Sequence, residues 1–156
     1  MERDKSSDNP DGPLILCWDG SEAAGRAISY AAHLFGAGRR AIVLLAYVPT
    51  EKSGMLPGFS KSDAPIMGPA DAQAMLERGV AVAREAGIEP VPELVVAETR
   101  TAAIIVRLAE ERSAPLIVMG QRKRTGLGLL LGSVAREVLS LQHRPVMLVG
   151  PEGPSG

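Results

Sequence analysis

Cysteine and aromatic residues are scarce in this chain, and each scarcity excludes a class of site. The single cysteine, Cys17, rules out an internal disulfide framework and a cysteine-rich zinc site. Two Phe, one Trp and two Tyr are too few for the aromatic platform on which single-stranded nucleic acids stack. The net charge of -1 removes the general attraction that a strongly basic protein has for nucleic acids or anionic membranes.

Long apolar runs are missing as well. No run approaches the roughly 18 apolar residues that indicate a membrane helix, and the polar start "MERDKSSDNPDG" lacks the apolar segment of a secretory signal. We therefore expect a cytoplasmic protein that binds neither membranes nor nucleic acids. His33 and His143 lie far apart and lack neighbouring ligands, so no metal site is expected either.

The length of 156 residues suits one domain with its own hydrophobic core. Residues 1–12 and 151–156 are polar and rich in Ser, Pro and Gly, a composition that buries too little apolar surface to offset the entropy of ordering. We expect both segments to be disordered tails, with residues 13–150 forming the domain.

Short apolar runs alternate with segments of helical periodicity along this domain. The predicted strands are "PLILCWD", "AIVLLAYV", "VPELVVA", "APLIVMG" and "RPVMLVG". The predicted helices are "SEAAGRAISYAAHLFGAG", which Ser21 would cap, residues 69–86, "TAAIIVRLAEERS" and a segment that begins near Ser133. This alternation predicts an α/β fold with a parallel sheet covered on both faces. Pro92 places its strand at a sheet edge, because proline cannot donate to a ladder.

Residues 50–67 break the alternation. They are rich in Pro and Gly and show no clear period, which predicts the most mobile internal segment of the chain.

Three segments follow strand ends, where ligands of such sheets bind. They are "WDGS", "YVPT" and "MGQRKRTG". After the third, Gly132 and Ser133 open a helix, and the amides at a helix N-terminus favour an anion such as phosphate. Simpler interpretations remain open: Ser133 as an N-cap, the basic triplet as a solvated loop, and Asp19 as part of a turn. Cys17 and Trp18 are interpreted as packing residues.

Four stretches, "ILCWDGSEAAGRAISYAA", "AIVLLAYV", "LAEERSAPLIVMG" and "RTGLGLLLGSVAREVLSLQHRPVMLV", together resemble the universal stress protein family. The resemblance covers nearly all of the chain from about residue 13 to 149. It implies a Rossmann-like, five-stranded parallel sheet in the order 3-2-1-4-5. It also implies a homodimer in which the last strands pair, through Val146, Met147, Leu148 and Val149.

The resemblance further implies an adenine nucleotide site, with ATP as the ligand and Mg²⁺ as a companion of its phosphates. Asp19 would contact the ribose, and the backbone of Val48 would contact the adenine. From the composition of residues 50–67, we further expect this segment to act as a flap over the adenine end of the site. The phosphate side would be lined by Met119, Gly120, Gly132, Ser133 and Val134, with local positive charge from Arg122 and Lys123.

The chain departs from the nucleotide-binding pattern of the family at two points. Lys123 stands at the second glycine position, and eight residues instead of nine precede Gly132. Two hypotheses therefore stay open: an ATP-binding protein with a regulatory role in the stress response, and a dimeric interaction module of the same family that binds no nucleotide. An enzyme, at most a slow ATPase, is a third.

Overall fold

Strands and helices alternate along the chain in the computed structural model, which describes residues 9–52, 62–121 and 132–150. The strands are β1 (Leu14–Cys17), β2 (Arg40–Pro49), β3 (Ile66–Met67), β4 (Glu89–Val96), β5 (Ile117–Gly120) and β6 (Val146–Val149). The helices are α1 (Glu22–Phe35), α2 (Pro69–Glu85), α3 (Thr101–Glu111) and α4 (Ser133–Leu141), with a short 3-10 turn at Thr50–Lys52. The predicted tails lie mostly outside these ranges, and the domain boundaries stay a prediction.

The five longer strands form a parallel sheet in the order β4-β2-β1-β5-β6. Numbered by these five strands alone, this is the order 3-2-1-4-5, so the predicted fold is confirmed. The strand that contains Pro92 lies at an edge of this order, as predicted.

A sixth strand, β3, was not predicted. Its two residues pair in parallel with the end of β2, Ile66 opposite Val48 and Met67 opposite Pro49. Two residues inside a Pro- and Gly-rich stretch are too few to produce a periodic pattern, which is why sequence analysis passed over them.

Apolar side chains fill both faces of the sheet. Along β1, Leu14 and Leu16 pack on the side of α1 and α2, whereas Ile15 and Cys17 pack on the side of α3 and α4. Successive strand residues point to opposite faces, so a strand covered on both sides is apolar throughout. None of the helices in the described ranges is long and apolar enough to cross a membrane.

Candidate functional site

The carboxyl end of β1 leads into a tight turn that holds Asp19. Its carboxylate accepts hydrogen bonds from the Ser21 amide, at 3.0 Å, and from the Ser21 hydroxyl. Ser21 in turn caps α1, because its Oγ accepts from the Ala24 amide at 3.1 Å. Gly20 lies between them at φ +82, in the left-handed region that suits glycine. The predicted cap is confirmed, and the turn fixes the orientation of the Asp19 carboxylate.

The two residues before Asp19 are packing residues. Burial, together with a smaller contribution from the Asp19 charge, raises the pKa of the Cys17 thiol to about 12. The thiol is therefore protonated near neutral pH and is no nucleophile. Trp18 is buried; its indole N–H donates to the Met75 carbonyl at 2.7 Å and its ring packs against Gly79. Both packing interpretations are confirmed.

The carboxyl end of β2 places Val48 in the core, with its backbone amide already bonded. The Val48 N–H donates to the Pro65 carbonyl at 2.8 Å, the first hydrogen bond of the β2–β3 pairing. The Val48 backbone amide, which was expected to contact adenine, is thus hydrogen bonded to Pro65 instead.

At the carboxyl end of β5, Met119 is buried and Gly120 touches the first turn of α1. A Cβ at Gly120 would lie 2.5 Å from the carbonyl carbon of Ala23 and 2.9 Å from the amide nitrogen of Ala24, closer than real Cβ contacts. Glycine is required here by the packing of β5 against α1. Gln121 follows. It is buried, and its backbone amide donates to the Val149 carbonyl at 2.8 Å.

The N-terminus of α4 is open. Gly132 is the N-cap residue, with φ -65 and ψ 160, and no side chain in the described part of the chain caps the helix. Ser133 is exposed at the first helical position, and Val134 packs against the same core cluster as Val48 and Met119. Arg122 and Lys123 lie outside the described residues. The amides of this turn, which no described side chain caps, can donate hydrogen bonds to an anion.

An ionic network that the sequence analysis missed lies beside these strand ends. Arg100 contacts both carboxylate oxygens of Glu137, with N–O distances between 2.6 and 2.9 Å, and its NH2 group lies 3.4 Å from the Asp63 carboxylate. The Asp63 carboxylate also accepts from the Thr101 amide at 2.8 Å, at the start of α3. The network therefore ties residue 63 to the start of α3 and, through Arg100, to Glu137 of α4.

The pKa values of Asp63 and Arg100 are shifted in the directions that favour their charged forms, and therefore the ion pairs. Burial alone would raise the pKa of Asp63, but the Thr101 hydrogen bonds, its own amide and the Arg100 charge outweigh burial and lower it. Hydrogen bonding to Glu137, then the charges of Glu137 and Asp63, raise the pKa of Arg100. No pattern in the sequence joins these three residues, because Asp63 and Arg100 come from two different connections of the fold and Glu137 comes from α4.

A model of the universal stress protein family matches residues 13–150. This chain belongs to the universal stress protein family. A universal stress protein of Mycobacterium tuberculosis is 31% identical over 138 residues, which are 87% of this chain and 94% of that protein. The structure of a universal stress protein from Archaeoglobus fulgidus is 28% identical, with a TM-score of 0.64, over 88% of this chain and 98% of the other. An Archaeoglobus fulgidus universal stress protein in complex with dAMP has a TM-score of 0.60 at 22% identity, over 88% and 97%.

In this universal stress protein, the described site residues gather at the carboxyl ends of β1, β2 and β5. Val48 and Met119 belong to one core cluster, on which Val134 packs, and Gly120 contacts the helix that follows Asp19. Within the described ranges, no group of three or more His, Cys, Asp or Glu side chains is arranged to hold a metal ion.

Proposed function

We propose that this universal stress protein binds an adenine nucleotide at the carboxyl ends of β1, β2 and β5, in a regulatory role in the cytoplasm. The observation that carries the proposal is the N-terminus of α4, where Gly132 is the N-cap residue and no described side chain accepts from the first amides. These amides and the helix dipole provide a site for phosphate. The Archaeoglobus structure with dAMP supports an adenine nucleotide as the ligand class, and ATP is the finer form of the proposal.

The described residues suit the phosphate and ribose ends of a nucleotide better than its base end. At the phosphate end, a Cβ added at Gly132 would meet no described residue within 4 Å, so the described part of the chain leaves room for a phosphate. At the ribose end, Asp19 is held in place by the turn to Ser21. At the base end, the Val48 amide is occupied by Pro65. The engaged Val48 favours the second candidate, an interaction module that binds no nucleotide.

The first experiment identifies what the protein carries. Freshly purified protein is denatured, and the released small molecules are identified by mass spectrometry. An adenine nucleotide at near-stoichiometric amount supports the proposal. Empty protein that also fails to bind ATP, AMP or dAMP in titration calorimetry supports the interaction module.

One substitution at α4 separates phosphate binding from helix stability. Gly132→Asp supplies a side-chain cap, which stabilises a helix relative to glycine by a few tenths of a kcal/mol. Its carboxylate would occupy the same amides and repel phosphate, so we expect ATP affinity to fall about tenfold, about 1.4 kcal/mol. A variant that is more stable and yet binds ATP more weakly cannot be explained by damage to the fold. Unchanged ATP affinity would place the phosphates elsewhere.

Ser133 allows a finer division of the same turn. Ser133→Ala removes only the hydroxyl, whereas Ser133→Pro also removes an amide at the first helical position, where proline is tolerated. We expect the proline variant to lose more affinity than the alanine variant. Ser140→Ala is the matched control, because Ser140 lies in the last turn of α4 and its hydroxyl donates to the Glu137 carbonyl.

A further inference from the structure

Residues 62–67, here called the strap, lie against the carboxyl end of β2. Ile66 pairs with Val48, and the Val48 amide donates to the Pro65 carbonyl. Ala64 is buried in the same core cluster as Val48. The strap is therefore packed as well as hydrogen bonded.

The pairing pattern shows on which edge of β2 the strap lies. The Leu44 carbonyl accepts from the Trp18 amide at 2.9 Å, so Leu44 turns its backbone groups toward β1. The Tyr47 carbonyl accepts from the Ala97 amide at 2.8 Å, on the opposite edge, beside β4. Backbone groups alternate between the two edges along a strand. Val48, four residues after Leu44, thus faces the β1 edge.

β1 ends at Cys17, which pairs with Leu44. Beyond that point the β1 edge of β2 would be open, and the strap fills it. Asp19 lies two residues after the end of β1, at the same end of the sheet. The strap consequently occupies the space between the β1 and β2 ends, where a base bonded to Val48 would have to lie.

Two charged contacts hold the strap in this position. The Asp63 carboxylate accepts from the Thr101 amide at 2.8 Å and lies 3.4 Å from an Arg100 nitrogen. Arg100 is itself held by Glu137 of α4. The anchor joins the strap to the helix whose N-terminus is the proposed phosphate site.

We propose that the strap is an internal competitor for the base: Pro65 holds the Val48 amide, and an adenine nucleotide binds only when the strap leaves β2. This inference rests on the proposed function. The apparent affinity for the nucleotide is then the intrinsic affinity multiplied by the fraction of molecules whose strap is released. Asp63 and Arg100 set that fraction, because their contacts hold the strap on β2.

The test weakens the anchor and compares a ligand that needs Val48 with one that does not. Asp63→Asn and Arg100→Gln remove the ion pair, and Arg112→Gln is the matched control. Arg112 forms an equally exposed pair with Glu93, at 2.7 Å, in another part of the surface. Calorimetry measures the affinity for ATP and for tripolyphosphate, which has no base. Amide exchange at Val48, followed by NMR, reports whether the strap is seated.

If the strap competes with the base, each anchor variant speeds exchange at Val48 and strengthens ATP binding about fivefold, the scale of one exposed ion pair. Tripolyphosphate binding and the Arg112→Gln control stay at wild-type values. The appearance of ATP binding only in the anchor variants also supports the competition.

Three results would overturn it. ATP affinity that is unchanged or reduced while Val48 exchange rises would show that the strap does not compete, with nucleotide binding itself intact. Equal gains for ATP and tripolyphosphate would show that the base is not involved. Failure of every variant to bind ATP despite faster exchange would remove both the competition and the proposed function.

Discussion

Gly120→Ala should destabilise the fold, because the added methyl group meets backbone rather than a movable side chain. The new Cβ would lie 2.5 Å from the Ala23 carbonyl carbon and 2.9 Å from the Ala24 nitrogen. Both atoms belong to the first turn of α1, which Ser21 caps. Relief of the clash therefore requires β5 or the start of α1 to move.

The magnitude follows from the cost of overpacking. Forcing a methyl group into a well-packed core costs about 1–3 kcal/mol. We expect the upper part of that range, because neither neighbour can rotate away. For a chain of this length the loss corresponds to a fall in Tm of about 2–4 °C per kcal/mol.

Gly25→Ala is the matched control. Gly25 lies in α1, close to the same turn, and no described residue comes within 4 Å of a Cβ added there. Alanine inside a helix is more stable than glycine by about 0.5–1 kcal/mol. The same glycine-to-alanine change should thus lower the free energy of unfolding at position 120 and raise it at position 25.

Urea unfolding followed by circular dichroism measures both variants, with the midpoint compared at a constant slope. A Gly120→Ala protein within about 0.5 kcal/mol of wild type, the range of ordinary surface substitutions, would refute the packing argument. Glycine at this position would then have to be explained by a ligand.

Three further predictions concern the thiol, an acid and the edge strand. Cys17, with its pKa raised to about 12, should react with a thiol reagent at pH 7.5 far more slowly in the native protein than in urea; equal rates would contradict its burial. The pKa of Asp63 is lowered by folding, so its contribution to the free energy of unfolding is full above the unfolded value of about 3.9 and is lost as the pH falls through the folded value. Asp63→Asn should flatten the acid limb of the stability curve, and parallel curves would argue against this. The homodimer through β6 stays a prediction; Leu148→Pro should weaken it in analytical ultracentrifugation, and a stable wild-type monomer at micromolar concentration would rule it out.

The choice of Leu148 follows from the pairing of β6 with β5. The Pro145 and Val149 carbonyls accept from the Ile117 and Gln121 amides, so these residues face β5. By alternation the amide of Leu148 faces away from β5, toward the open edge. Proline there removes a donor to a partner strand and no hydrogen bond of the sheet itself.

The strands, the core and the edge position of β4 were predictable from patterns within single elements, whereas the full strand order followed from the resemblance to the family. Continuous apolar runs in β1, β2 and β5 indicated strands buried on both faces, and Pro92 indicated an edge. Ser21 signalled the start of α1 through its own cap. Each signal lies within one element, so it can be recognised in the sequence without knowledge of the fold.

The strap and its anchor could not be predicted, because they depend on contacts between distant segments. Asp63 lies in a stretch whose composition indicates only an irregular connection, and its partners are the start of α3 and a side chain of α4. Val48 illustrates the same limit. Its position at the end of β2 was predictable, whereas the engagement of its amide by Pro65 was not.

The two described glycines of the family pattern differ in what they say about function. Gly120 is required by the contact of β5 with α1, so a glycine there is explained whether or not a nucleotide binds. Gly132 has no such explanation, since no described residue lies within 4 Å of a Cβ added there and its φ of -65 suits any residue. Serine, asparagine or aspartate would cap α4 better than glycine does. Under the proposed function, an anion that uses the amides of this turn would account for glycine at a position where a better cap fits. The case for a nucleotide therefore depends on Gly132 and not on Gly120, and the Gly132→Asp variant addresses it directly.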